Sequence, residues 1–340
     1  MTWIAWTNGT LYLELHGRNN GRTRAYVFLQ IGILTILTVF AADPEGPSGS
    51  AFAFAYTAFL VVMTWLWYEV RRQDIRASRA EFLFDTAVYV IAMCVSIVVI
   101  LVTAFLPSHL RLGVWAVFAV AWAILLLLMA RSRVGLGRGM APTDSIVDRF
   151  GTFTLIVLGE VVFGVVDGLS QSQHDFATIA TGMIALVVGF GFWWIYFDLV
   201  GGRLPRGDGR ALANWILGHF PITLAIAAAG AGMVSLLEHA HDARTPAPTS
   251  WLLAGAVALG LVFLIPTSRA LADSGPLAGA FRATWAAMAA GAVLSLIIGW
   301  ARPTPWLLAL LLVVVLGLVW SVAMRGFVLA GAWAPDQQTG

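Results

Sequence analysis

Apolar runs as long as a lipid bilayer is thick recur along almost the whole of this chain of 340 residues. They lie at about 25–42, 50–70, 84–106, 110–130, 150–168, 176–200, 211–237, 250–268, 278–300 and 304–333. Each has about 18 residues or more, enough at about 1.5 Å per residue to cross roughly 30 Å of hydrocarbon. Hydrocarbon offers no hydrogen-bond partner to a backbone, so runs of this length fold as helices. The fold class is all-α. The expectation is a polytopic transmembrane helical bundle, a single integral membrane domain over 1–340, with about ten full spans plus a partial N-terminal segment.

The composition agrees. Hydrophobic residues make up 59% of the chain and charged residues 11%, against about 25% charged in soluble domains. All basic residues are arginine, and no basic patch interleaved with aromatics appears, so no nucleic-acid partner is expected. Cys94 is the single cysteine, so neither an intrachain disulfide nor a thiolate metal cluster can form; inside an apolar run it is expected to be a small buried residue. Residues Trp3 to His16 reach only about 24 Å as a helix, so a short helix or the later part of a span is expected there. Met1 is not followed by a basic segment and cleavage site, and no signal peptide is expected.

The breaks between runs carry turn chemistry, as in Asp43-Pro44-Glu45-Gly46-Pro47 and Thr245-Pro246-Ala247-Pro248. One set of alternate loops holds arginines from Arg18 through Arg71, Arg131, Arg149, Arg203 and Arg269 to Arg325. The other set holds only Arg111, Arg244 and Arg302 of the twenty. By the positive-inside rule the arginine-rich loops are cytoplasmic, and the C-terminus ends inside.

Polar residues inside spans are costly, so their helical phase carries information. Between 150 and 168, Arg149, Phe153, Ile156, Glu160, Gly164 and Asp167 fall within about 40° of one line. Glu160 is about 16 Å along the axis from Arg149, too far to pair with it. Its partner must come from another helix, from water or from its own protonation. The alternatives are a proton or cation relay and a protonated acid hydrogen-bonded across a helix interface. A second stripe joins Asp85, Tyr89, Ser96 and Thr103, whose hydroxyls also serve as ordinary interhelical glue.

Phe192-Trp193-Trp194-Ile195-Tyr196-Phe197-Asp198 ends a span with aromatics that fit an interfacial belt. Asp198 lies inside that girdle. His219, about 13 Å beyond Arg210, is placed inside a span just before Pro221, which should kink it; it is either a titrating group or a hydrogen-bonded neutral ring. Thr178, Gly182, Ala185 and Gly189 form a small-residue stripe suited to close helix approach. Glu238-His239-Ala240-His241-Asp242 reads as a solvated loop, and Gly135-Leu136-Gly137-Arg138-Gly139 as a flexible turn rather than a phosphate loop. No cofactor or metal is expected.

Asp148-Arg149-Phe150-Gly151 followed by Val157-Leu158-Gly159-Glu160 resembles the bacterial low-temperature-requirement A family. Trp193-Trp194-Ile195-Tyr196-Phe197-Asp198 is similar to that family's aromatic-Asp motif, and Ala5-Trp6-Thr7-Asn8 to its early Trp-Thr element. The likeness covers nearly the whole chain. The family's opening Glu-Leu-Phe-Phe-Asp-type helix is not seen, so the sequence reads as starting within the family's second span. The resemblance implies a bacterial plasma-membrane protein connected with growth in the cold.

Three functions fit these observations. The first is a proton- or ion-coupled carrier or channel for a small solute or ion, with Glu160 as its proton or cation site. Arg149, Asp198, Asp167 and Asp85 would be charged groups along the path and His219 an auxiliary titrating group. The second is a non-catalytic membrane protein for envelope adaptation to cold. The third, a lipid-acting membrane enzyme, lacks any visible nucleophile–base pair or metal motif, so the expectation is not an enzyme. The expected partners are the lipid bilayer and, under the first reading, a small solute or ion, and the sequence sets no oligomeric state. Reporters fused at Asp144 or Asp208 should report from the cytoplasm and those at Glu45 or Asp242 from outside; an external signal at Asp208 would overturn the span count.

Overall fold

The structure is a computed structural model that describes residues 1–331 apart from 17–20, 42, 44, 77–79, 132–141 and 173–174. The glycine-rich turn around Arg138 therefore lies outside the described residues. Among the described residues eleven α-helices follow one another: α1 (Thr2–His16), α2 (Gly21–Ala41), α3 (Ser48–Arg76), α4 (Ala80–Thr103), α5 (Ser108–Arg131), α6 (Asp144–Gln171), α7 (Phe176–Leu199), α8 (Gly209–Glu238), α9 (Ala247–Arg269), α10 (Ala278–Ala301) and α11 (Pro305–Leu329). Among the described residues, nine of these are long and apolar enough to cross a membrane; in α4 the apolar stretch is the shorter Ala87–Thr103. The polytopic helical bundle read from the sequence is the fold, and the short helix expected at 3–16 is α1.

The chain divides into two compact units, Met1–Ala141 with Asp208–Ala213, and Pro142–Gly207 with Asn214–Gly340. In the first, α3 is the central element. Its residues Phe52, Tyr56, Phe59, Met63 and Trp67 recur at helical spacing and are buried together with Leu37 of α2, Met93 and Ile100 of α4 and Phe118 of α5. Tyr89, Ser96 and Thr103 of the α4 stripe are buried as expected; the side chain of Asp85 lies outside the described residues. Cys94 corrects the sequence reading. It is exposed, because the packed line of α4 runs through Tyr89, Met93, Ser96 and Ile100, and Cys94 is turned about 100° from Met93.

Arg111 explains one exception to the charge asymmetry. It is 6% exposed. Its Nε donates to the Thr103 carbonyl at 3.2 Å, and its Nη2 donates to Leu106 O and Ser50 Oγ, each at 3.0 Å. Ser50 Oγ in turn donates to Ala104 O at 2.7 Å. The guanidinium adds donors to carbonyls at and just beyond the C-terminus of α4.

In the second unit the helices touch through glycines. A methyl group on Gly164 of α6 would lie 3.0 Å from the Gly230 carbonyl oxygen of α8, and one on Gly299 of α10 would lie 2.7 Å from Ala254 Cβ of α9. The stripe Thr178, Gly182, Ala185 and Gly189 is buried and faces α6, with Gly189 against Val161 and Gly182 against Leu169. Without a hydrophobic driving force between helices in lipid, such close approach is what holds them together. Buried Thr154, Thr284 and Ser295 each donate to the carbonyl four residues back, at 2.9, 2.9 and 2.8 Å. Pro221 lies inside α8.

Gly164→Val should cost about 1–3 kcal/mol through overpacking, whereas Gly159→Ala should be tolerated, since a methyl group there meets nothing within 4 Å. Thermal unfolding of both in detergent checks this; equal effects would deny the close crossing.

Candidate functional site

The candidate site is built on α6, which Thr143 caps by accepting a hydrogen bond from Ile146 N at 3.2 Å. The packed face of α6 runs through Phe150, Thr154, Leu158, Val161, Val165 and Gly168. At 100° per residue Glu160 stands about 120° from the middle of that face. Its backbone is in the seam, since its carbonyl oxygen would be 3.4 Å from a methyl group on Gly230. Its side chain is exposed. One turn either side, Ile156 and Phe163 are 62% and 67% exposed, so the carboxyl stands in an apolar collar. No described residue gives it a hydrogen bond or ion pair. The stripe predicted from the sequence is thus a flank of α6. Gly164 lies at its buried border, Arg149, Phe153 and Asp167 are half-buried, and Ile156 and Glu160 are open. Glu160 stands about 16 residues into a helix of 28 residues, near its middle, and about 10 Å along the axis from Asp167.

His219 and Asp198 are occupied elsewhere in the second unit. His219 is fully buried. Its Nδ1 lies 2.7 Å from Trp215 O and its Nε2 2.9 Å from Tyr196 Oη. A carbonyl can only accept, so Nδ1 carries a proton and donates it, while Nε2 shares its bond with the Tyr196 hydroxyl, which can donate or accept. Phe150 and Trp215 close over the ring with centroids at 5.0 and 4.3 Å. The ring is a buried core group with both nitrogens in hydrogen-bond contact.

Asp198 accepts from the indole Nε1 of Trp320 at 2.6 Å. Arg203 takes the Asp198 backbone carbonyl at 3.0 Å, pairs with Asp273 at 2.5 Å and lies 4.8 Å over the Phe327 ring. Here the segments around 204 and 271 are joined by an isolated bridge, Pro205 with Leu271, and Arg206 Nη1 donates to Arg269 O at 2.7 Å. Sequence reasoning missed Asp273 and Trp320; the one available signal was an acid placed four residues after Arg269 in a short loop. Arg149 Nε lies 3.4 Å from Ser145 Oγ. The predicted ionisable groups are therefore distributed, and Glu160 is the mid-span carboxyl left without a described partner.

At the opposite end of α7, Asp175 caps the helix by accepting from Thr178 N at 2.8 Å, and pairs with His241 at 2.8 Å. His239 Nδ1 lies 2.8 Å from Ser235 O. The two histidines of the loop thus have separate partners.

A family model described as bacterial low temperature requirement A protein (LtrA) matches residues 1–325. The chain belongs to the LtrA family. No curated protein and no solved structure matches it. In this LtrA-family chain the motif residues fall into structural and open groups. Phe150 packs against His219, and a methyl group on Gly151 would lie 3.8 Å from the Phe197 ring, an ordinary contact. Asn8 donates to Ile4 O at 2.9 Å and accepts from Tyr89 Oη.

The Thr178 amide, opposed by desolvation and aided by His241, holds the Asp175 carboxyl below its ordinary range. A depressed carboxylate contributes stability at neutral pH that is lost as pH falls through its folded value. Asp175→Asn keeps a capping side chain but not the charge. The Tm difference between the wild-type chain and this variant should be positive at neutral pH and shrink on acidification; a difference independent of pH would remove the charge from this account.

Proposed function

We propose that this LtrA-family membrane protein is a proton- or cation-coupled carrier or channel of the bacterial plasma membrane, not an enzyme, with its C-terminus in the cytoplasm. Glu160 is its exchanging site. The observation that supports this is the mid-span carboxyl set among exposed apolar side chains with no described partner. A charged residue at the centre of a membrane helix costs about 2.5–3.5 kcal/mol, and intramembrane acids mark ion pathways. A group with that cost and no structural bond to offset it is suited to trading its proton for water, a cation or an approaching basic group. The arginine asymmetry supports the orientation.

A second reading is a non-catalytic protein of the envelope, as the family's name connects it with low temperature. It is favoured by the closed bonds of His219 and Asp198, which serve packing.

The experiment is chemical. A lipid-soluble carbodiimide attacks a protonated carboxyl in hydrocarbon, whereas a water-soluble one reaches carboxyls in water. Glu160 should be labelled by the first in preference to the second, and Glu160→Gln should abolish the labelling. The Gln variant should keep its Tm, because interhelical bonds in membranes average about 0.6 kcal/mol and Glu160 has no described bond to lose. It should also lose pH-dependent solute flux in vesicles. A Gln variant with full flux, or one that fully supports growth in the cold, would sink the exchange role and leave the envelope reading.

A further inference from the structure

Leu158-Gly159 and Trp193-Trp194 belong to separate sequence motifs, and the fold brings them to one groove. It lies between α6 and α7, has a volume of about 440 Å³ and is lined only by leucine, glycine, valine, phenylalanine and tryptophan. One wall carries Leu155, Gly159 and Val162, and the other carries Leu186, Trp193 and Trp194. Leu155, Val162 and Trp194 are 51%, 45% and 46% exposed, so the groove opens sideways. Its floor is closed where Gly189 meets Val161. Gly159 is open to it, since a methyl group there would touch nothing within 4 Å. This glycine serves no close helix crossing; it leaves one wall of the groove without a side chain.

We propose that this groove binds one acyl chain of a phospholipid from the leaflet at the arginine-rich end of the bundle. Its position decides the occupant. Between Leu186 and Trp194 the groove runs about 12 Å along α7, close to half of the roughly 30 Å hydrocarbon thickness. It begins at paired indoles, with Trp193 and Trp194 centroids 6.0 Å apart, near the end of α7. Indoles favour the headgroup level. Beyond Leu186 the seam closes, because Leu169 lies 3.0 Å from where a Gly182 methyl would stand. A transmembrane helix of a second copy would need a seam through both leaflets. A lipid tail needs one. Water is excluded as the occupant, since it stays out of voids without polar partners.

Native mass spectrometry of the purified full chain, challenged with phosphatidylglycerol, tests this. The wild-type chain should hold a phospholipid through detergent exchange. Gly159→Phe and Leu186→Trp, which fill the groove from opposite walls, should reduce its retention about tenfold. Val293→Phe, exposed on α10 and outside the lining of the groove, should retain it, and so should Glu160→Gln, which separates this site from the exchange role. No retained lipid in the wild-type chain, or equal retention in both filling variants, overturns the proposal. So does a dimer that Gly159→Phe dissolves, which would make a second copy the occupant. If neither filling variant folds, phosphatidylglycerol brominated on its chain decides. It should quench more fluorescence in the wild-type chain than in the Trp193→Phe/Trp194→Phe chain, and equal quenching overturns the proposal.

Discussion

A polar group inside hydrocarbon has no water to turn to, and this constraint arranges most of the side-chain chemistry seen in the chain. The arginines on the sparsely charged side show it. Arg111 is bound to carbonyls at the end of α4. Arg302, in a left-handed conformation after α10, gives Nε to Thr245 O at 3.0 Å, and Arg244 reaches Ala301 O at 3.3 Å. Each finishes a helix end or a turn. These three residues interrupt the charge asymmetry because they serve as donors to backbone carbonyls. Buried threonines and serines bond back into their own helices, and His219 is closed by Tyr196 and Trp215. Against that background a mid-span carboxyl without a described partner stands out.

The same solvent changes how helices recognise one another. Lipid is as apolar as leucine, so burying leucine against leucine gives little preference for association. Contact at van der Waals distance then depends on where the backbone can come close. Gly164 on Gly230 and Gly189 on Val161 set α6 against α8 and α7. The large apolar side chains go outward as often as inward: Phe28, Phe105 and Trp300 are 80%, 78% and 74% exposed.

This explains what the sequence could and could not reveal. Spans were legible from the lengths of the apolar runs, and the small-residue stripe of α7 correctly marked a packed face. The side of α6 that carries Glu160 was legible as a line of residues, yet its orientation was not. A helix that is apolar almost all round offers no contrast between a core side and a lipid side. The glycines at 164 and 168 were the better guide to that face. Cys94 was misplaced for the same reason: an apolar run does not say which of its residues meet lipid. Asp273 pairs with Arg203 across 70 residues of sequence, and Trp320 meets Asp198 across 122. No local periodicity encodes such partners.

The Leu158-Gly159-Glu160 triplet shows how one helical turn can serve three surroundings. Successive residues step 100° around the axis. Leu158, 7% exposed, faces the α7 contact. Gly159 faces open space beside the groove, where a side chain would narrow it. Glu160 points to the opposite flank, beyond the crossing with Gly230. Shifting the acid by one residue would place a carboxyl either in the groove or in the core. Both positions are lined by apolar groups that cannot accept its proton or replace its hydration. The spacing therefore separates an apolar surface from an ionisable one on a single helix. The close α6–α8 crossing lies beside that division, with no room for a side chain at Gly164 or Gly230.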